Sequence, residues 1–308
     1  MRVLDTGLSL YRKTVKRIYP AHAAIHRVIT HTVIPFLEWS TGFRTIADDP
    51  LWFRLELLTR RHERHTLRHL ADLVRPGMIA LDVGGHVGYY ARELAERVGP
   101  DGRVITLEPH PRSFDMLCRN TERYPQVTPL QIAAAEAHGE AQLYDYLIMS
   151  ASGSLHYDES LRDRQKASTR TGDIAPRLER DLPVETFTVE TAPLDDLLQA
   201  QGIDTVDVVK MDIEGAELSA LRGLQHTIDR SPNLALIMEY NPNALKAFHV
   251  EPYNAVDEVL AYGFTQVEAI QEDGTLLDLS ADRMALIHLT ARLSAEMGVI
   301  NLLFRKQS

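Results

Sequence analysis

The sequence predicts an α/β protein with a doubly wound, mostly parallel sheet and an N-terminal helical extension. Three observations carry this. From residue 78 onward, short apolar runs alternate with segments of helical periodicity, the pattern of strands joined by crossover helices. Two strand-to-helix junctions gather glycines and carboxylates, at Asp82–Gly88 and at Asp212–Glu217. The first 50 residues show no such alternation.

Residues 1–50 read as short helices with breaks at Pro20, Pro35 and Asp49-Pro50. Leu8, Tyr11, Val15, Ile18 and Tyr19 fall at helical spacing beside Arg12, Lys13, Lys16 and Arg17. A membrane-surface or partner-binding helix fits that pattern; the solvated face of a packed helix is the preferred reading. Residues 51–74 form a second helical segment with Leu51, Leu55, Leu58, Leu67, Leu70 and Val74, ended by Pro76-Gly77. Its basic face (Arg60, Arg61, His62, Arg64, His65, Arg68, His69) reads as solvated or intersubunit rather than as a seat for an acidic acceptor. The domains expected are an extension, 1–70, that caps an acceptor pocket, and a body, 71–308.

In the body, strands are expected at 78–83, 103–108, 127–132, 206–211, 234–239 and 264–270. Helices are expected at 87–98, 111–123, 193–200, 215–229 and 243–262. Period-two contexts add strands at 140–149 and 184–191. Between them the insertion near 158–182 is rich in charge, Ser and Thr, and reads equally as a lid or as an unstructured loop. Ser280 to Met297 is helical with Ser280 as N-cap, and Val299 to Phe304 supplies a closing strand.

The 308 residues suffice for one large domain or a domain plus an extension. Apolar content of 44% and charged content of 25% are ordinary for a globular chain. The net charge of −10 is uneven: residues 1–75 hold 13 Lys/Arg against 7 Asp/Glu, and the remainder 20 against 36. An acidic body argues against a nucleic-acid partner. The sole cysteine, Cys118, excludes an intrachain disulfide and fits a reducing cytoplasm. Val28 to Leu37, the most apolar N-terminal piece, is about half the length of a transmembrane span. A soluble cytoplasmic protein is expected, and a homo-oligomer is left open.

Chemistry is concentrated at three places. An apolar run enters Leu81-Asp82-Val83-Gly84-Gly85-His86-Val87-Gly88, where small residues permit close backbone approach and a helix N-terminus offers unpaired N–H groups. Arg103 to Leu107 leads to Glu108-Pro109, 24 residues beyond Gly84. A carboxylate there can accept hydrogen bonds from ribose hydroxyls. A nicotinamide enzyme would use the same device. However, the glycine spacing is not G-x-G-x-x-G, and Asp82 in the turn would repel a pyrophosphate while favouring a cationic sulfonium cofactor. Third, Val206 to Met211 delivers Lys210, Asp212 and Glu214 to a strand end and runs on to Glu217. Helix capping is preferred for Glu217, and function for Asp212.

Together, Asp82–Tyr90, Val104–Pro109 and Val209-Lys-Met-Asp-Ile-Glu-Gly-Ala-Glu217 resemble the FkbM family of S-adenosylmethionine-dependent methyltransferases. Leu236–Glu239 and Asn301–Phe304 fit as well, so the resemblance covers roughly residues 65–305. It implies a Rossmann-like class I methyltransferase fold and methylation of hydroxyls on sugars, glycans or natural products. It further implies that Asp82, Gly84, Gly85, His86, Glu108, Pro109 and Ala133 border the cofactor. His86 departs from the family, many members of which carry Asn there. Asp212, His86, His110 and Glu239 are candidate bases for the acceptor proton; Asp212 and His86 are the two chosen. Asp212, Glu214 and Glu239 could gather magnesium, but a required metal is not favoured. The alternatives are a nicotinamide oxidoreductase and a non-catalytic cofactor-binding scaffold.

Overall fold

A computed structural model describes residues 19–146, 149–151, 153–157 and 184–306. The Leu8–Ile18 pattern and the insertion near 158–182 lie outside them. The chain divides into two compact units with a boundary between His62 and Glu63.

In the first unit, helix α1 (Tyr19–Val28) passes through a π turn (Ile29–Val33) into α2 (Ile34–Thr41). The expected break at Pro35 is not there: Pro35 lies in the first turn after the π turn, where Ile34 N–H pairs back to Ile29, and the chain stays helical through it. Pro20 is the second residue of α1, which begins at the edge of the described residues. Gly42, in the left-handed region, ends α2. Arg54 of α3 (Leu51–Leu58) is buried and ties the connecting loop down, donating to Thr45 Oγ1 at 2.8 Å and pairing with Glu38 at 3.4 Å. The helix expected over 51–74 is two helices, because Arg60 and Glu63 take left-handed conformations that no α-helix accommodates.

The second unit begins with α4 (Arg64–Leu73). Its main sheet comprises β1 (Ile79–Val83), β2 (Arg103–Leu107), β3 (Val127–Leu130), β7 (Val208–Met211), β8 (Ala235–Tyr240), β9 (Gln266–Ile270), β10 (Leu276–Asp278) and β11 (Ile300–Arg305). Their order is β10-β9-β11-β8-β7-β1-β2-β3. The five strands from β3 to β8 pair in parallel, while β11 slots antiparallel between β8 and β9. The central strands place Leu81, Val83, Val209, Met211, Leu236 and Met238 in one buried hydrophobic core, the pattern of a sheet covered by helices. The predicted doubly wound sheet and closing strand are observed. The hairpin strand β10 was not anticipated; its three residues are too few to show a period.

Other boundaries moved. The segment 127–132 stops at Leu130, and Ala133–Ala134 (β4) pairs instead with β6 (Glu185–Ala192), which pairs with β5 (Gly139–Asp145) in a separate three-stranded sheet. Helix 215–229 divides into α8 (Glu217–Arg222) and α9 (Gln225–Arg230) at Gly223, where a Cβ would stand 2.2 Å from the Ala135 carbonyl oxygen. Helix 243–262 divides into α10 (Pro242–Ala247) and α11 (Pro252–Ala261), separated by left-handed His249. Asp282, not Ser280, caps α12 (Arg283–Glu296), accepting from Met284 and Ala285 N–H. Ser280 Oγ is taken by Val267 N–H. His65 and His69 do not belong to a solvated basic face: both lie against Gly274, and His69 Nε2 is 3.0 Å from its carbonyl oxygen.

Candidate active site

Strand order reverses between β1 and β7, and ligands of open parallel sheets bind outside the carboxyl ends of the strands at such a point. Asp82 and Lys210 are register partners there. The two junctions singled out in the sequence therefore meet along one rim.

On the β1 side, Gly84 has φ +89°, and a Cβ on it would lie 1.9 Å from the Asp212 carbonyl oxygen. A Cβ on Gly85 would lie 2.2 Å from Thr106 Oγ1. The clearance these glycines provide is thus between neighbouring strand ends of the protein itself. Both their N–H groups donate to the Leu107 carbonyl, at 3.0 and 2.8 Å. Glu108 anchors two backbone segments at once: its Oε2 accepts His86 N–H and its Oε1 accepts His110 N–H, each at 2.8 Å. Burial pushes Glu108 up to about 7, against the pull of those two donors. Each of its oxygens keeps a second lone pair. Beneath the turn, Asp82 is buried, with Oδ2 accepting from the Thr106 hydroxyl at 3.0 Å and Oδ1 lacking a partner among the described residues. Burial raises it to about 6, with Thr106 and Lys210 opposing. Pro109 is half-buried beside Glu108. Ala133 belongs to the core of the small sheet, with Leu143 and Val189.

The β7 side is built around one cation. Lys210 is 1% exposed; its Nζ donates to Asp212 Oδ2 at 2.9 Å and lies 5.2 Å from the centre of the Tyr90 ring. Burial alone would lower its pKa, but Asp212, Glu63 and Glu239 outweigh that and raise it. The Tyr90 hydroxyl donates to Glu63 Oε2 at 2.5 Å, and Glu63 Oε1 accepts from Asn301 Nδ2 at 3.2 Å. Burial, then Asp212 and Glu217, push Glu214 up to about 8. Burial, then Asp212 and Glu214, hold Glu239 well above the carboxyl range, and its Oε2 lacks a partner among the described residues. Glu217 does act on the backbone, as the capping reading expects: its Oε1 accepts Ile213 N–H at 3.2 Å and Gly215 N–H at 3.1 Å. Asp212 keeps 29% of its side chain exposed.

The two histidines separate in role. His86 has φ +47°, and its Nε2 is 2.6 Å from Ser150 Oγ. His110 is buried, accepts Ser113 N–H on Nδ1 as a helix N-cap, and has Nε2 3.1 Å from Asp145 Oδ2. With Nδ1 accepting, Nε2 carries the hydrogen and donates to the carboxylate. Both nitrogens of that ring are engaged within the protein. Among the described residues, no three His, Cys, Asp or Glu side chains come together as metal ligands.

Glu63, Tyr90, Asp145 and Asn301 were not singled out as site residues from the sequence. Tyr90 and Asn301 do fall inside the motif stretches; Glu63 and Asp145 carry no local signal, since their partners are 27 and 35 residues away.

The family description "Methyltransferase FkbM domain" matches residues 82–265, from the buried Asp82 to the start of β9. The chain belongs to the FkbM methyltransferase family. It is a methyltransferase with the class I, S-adenosylmethionine-dependent architecture, which sets the nicotinamide alternative aside. Among relatives of this FkbM chain, the hexuronic acid methyltransferase AglP of Haloferax volcanii is 25% identical over 65% of this chain and 70% of its own length. Methyltransferase sdnD of Sordaria araneosa is 24% identical over 66% and 74%, respectively. A protein-L-isoaspartate O-methyltransferase of Methanothrix thermoacetophila is 37% identical, over 29% of this chain and 44% of its own. No helix among the described residues is long and apolar enough to cross a membrane.

Proposed function

We propose that this FkbM protein methylates a hydroxyl oxygen on a sugar, glycan or natural-product small molecule, with Asp212 as general base and His86 orienting the acceptor. The observation that carries the reading is the Lys210–Asp212 pair at the carboxyl end of β7, beside the turn after β1. The similarity to a hexuronic acid methyltransferase over two thirds of both chains supports a sugar acceptor. The isoaspartate enzyme matches over less than half its length and does not argue for a carboxylate acceptor.

The residues present fit S-adenosylmethionine. Buried carboxylates at Asp82 and Glu108 surround the turn, and negative charge there suits a cationic sulfonium and ammonium where it would repel a pyrophosphate. In the proposed arrangement Glu108 receives the ribose hydroxyls on its free lone pairs. The turn Gly84–His86, over Asp82, faces the methionyl end. Pro109 and the backbone at Ala133 border the adenine. Bound there, the cofactor supplies an activated methyl group and leaves as neutral S-adenosylhomocysteine.

The protein's work is alignment and proton removal. Asp212 takes the acceptor's hydroxyl proton on its carboxylate as the C–O bond forms, while the Lys210 ammonium fixes that carboxylate's orientation. Calorimetry should show S-adenosylhomocysteine binding and no NAD binding; the reverse result would sink the cofactor assignment. With a labelled cofactor and glucuronic acid-type acceptors, Asp212→Asn should lose about 100-fold in turnover with cofactor affinity kept. Unchanged turnover would remove Asp212 from the mechanism. A chain that binds the cofactor yet methylates no acceptor in a broad metabolite and glycan screen would favour the scaffold alternative.

A further inference from the structure

We propose that the N-terminal extension docks this protein on an anionic lipid surface through the outward face of its α1–α2 helix. Val28, Val33, Phe36 and Trp39 are 57, 38, 61 and 79% exposed. They form one stripe. The π turn makes Val28 and Val33, five residues apart, a single turn apart, and Phe36 and Trp39 continue at helical spacing. The Phe36 and Trp39 ring centres are 6.1 Å apart. Ile34, on the other face, is 1% exposed, so the helix is two-sided and its large aromatics are on the solvent side.

Charge selects the occupant. Residues 1–62 carry 10 Lys/Arg against 5 Asp/Glu, while residues 63–308 carry 23 against 38. Arg2, Arg12, Lys13, Lys16, Arg17 and Arg27 precede or adjoin the stripe, with Asp5 the sole acid among residues 1–27. A basic segment joined to exposed Trp and Phe matches a headgroup boundary, with cations at the phosphates and rings at the acyl border. A second copy using the same face would set like charge against like charge. No described helix is long and apolar enough to span, so the contact is one of lying on the surface. The inference is independent of the acceptor assigned above.

The test uses the full chain. Trp39 and Trp52 are its two tryptophans, so Trp52→Phe leaves Trp39 as the reporter. Vesicles of equal parts phosphatidylcholine and phosphatidylglycerol should shift Trp39 emission to the blue and carry the protein down on sedimentation. Phosphatidylcholine alone should do so far less. Phe36→Ser/Trp39→Ser should abolish co-sedimentation while S-adenosylhomocysteine binding stays unchanged, which certifies the fold. Lys13→Gln/Lys16→Gln should weaken vesicle binding by about 30-fold, the equivalent of about 1 kcal/mol for each basic residue near the surface. Failure to bind anionic vesicles, or equal binding to both compositions, overturns the proposal. So does a blue shift that grows with protein concentration without lipid, alongside a doubling of mass, because the occupant is then a second copy.

Discussion

On the β1–β2 side of the switch point, Asp82 and Glu108 are met by a hydroxyl and two backbone N–H groups. On the β7–β8 side, Asp212, Glu214 and Glu239 share the field of a single buried ammonium, Lys210. The first arrangement is geometric: backbone donors cannot titrate or rotate away, so the turn is fixed before any ligand arrives. The second is electrostatic, and it hangs on one side chain. Cofactor seats gain from the former, and proton transfer gains from a field that a substrate can shift.

If the β1 side is held by backbone fit, its largest vulnerability is steric. Gly84→Ala places a Cβ 1.9 Å from the Asp212 carbonyl oxygen at a φ of +89°. Neither strand end can yield without breaking the rim, and we expect a loss on the order of 5 kcal/mol, read as the urea midpoint or as failure to recover folded protein. A near-wild-type midpoint would show that the two junctions are not packed together.

If the β7 side hangs on one cation, Lys210→Met should cost about 4 kcal/mol, because it leaves buried carboxylates without their counter-charge. Adding Glu239→Gln should recover part of that loss. A neutral effect of Lys210→Met would dissolve the contrast.

The next effect separates the sides by pH. Asp82, Glu108, Glu217 and Glu214 are raised to about 6, 7, 7 and 8, against about 4 in the unfolded chain. Between those values the folded state binds more protons than the unfolded one, so stability falls as pH rises. The contribution is complete below about 4 and is lost progressively through about 8, the value for Glu214. The urea midpoint should therefore decline from mildly acidic to mildly alkaline pH, by an amount worth a few kcal/mol. Glu214→Gln should remove the upper end of that decline and leave the Asp82 portion.

Much of this was legible in the sequence, for local reasons. Alternating apolar runs and helices specify the parallel sheet, and the acidic residues at the end of β1 and just after β2 and β7 are short-range patterns readable residue by residue. What escaped was set at a distance. Glu63 joins the site through partners at Tyr90 and Asn301, and no periodicity encodes that meeting. The breaks inside 51–74, 215–229 and 243–262 depend on left-handed residues such as Glu63 and His249, or on close packing at Gly223, and composition signals neither. Ser280 and Asp282 were both good N-caps by type; the claim of Val267 N–H on Ser280 decided between them.

The smallest effects test the contrast most finely, because they compare two buried glutamates of similar raised pKa. Glu108 uses both oxygens, one for His86 N–H and one for His110 N–H. Glu108→Gln must turn an amide N–H₂ toward one of those donors, which leaves a buried N–H unpaired and costs about 2 kcal/mol. Glu217 uses Oε1 for both Ile213 and Gly215 N–H, and its Oε2 lacks a partner among the described residues. Glu217→Gln can keep the carbonyl oxygen in the Oε1 position, so both backbone bonds survive. Its amide N–H₂ enters the place where Oε2 already had no partner among the described residues, and its cost should stay at about 1 kcal/mol, below that of Glu108→Gln. Paired urea titrations at neutral pH decide the matter. Equal losses would mean that burial, rather than the division of donors between the two oxygens, governs both sides of the switch point.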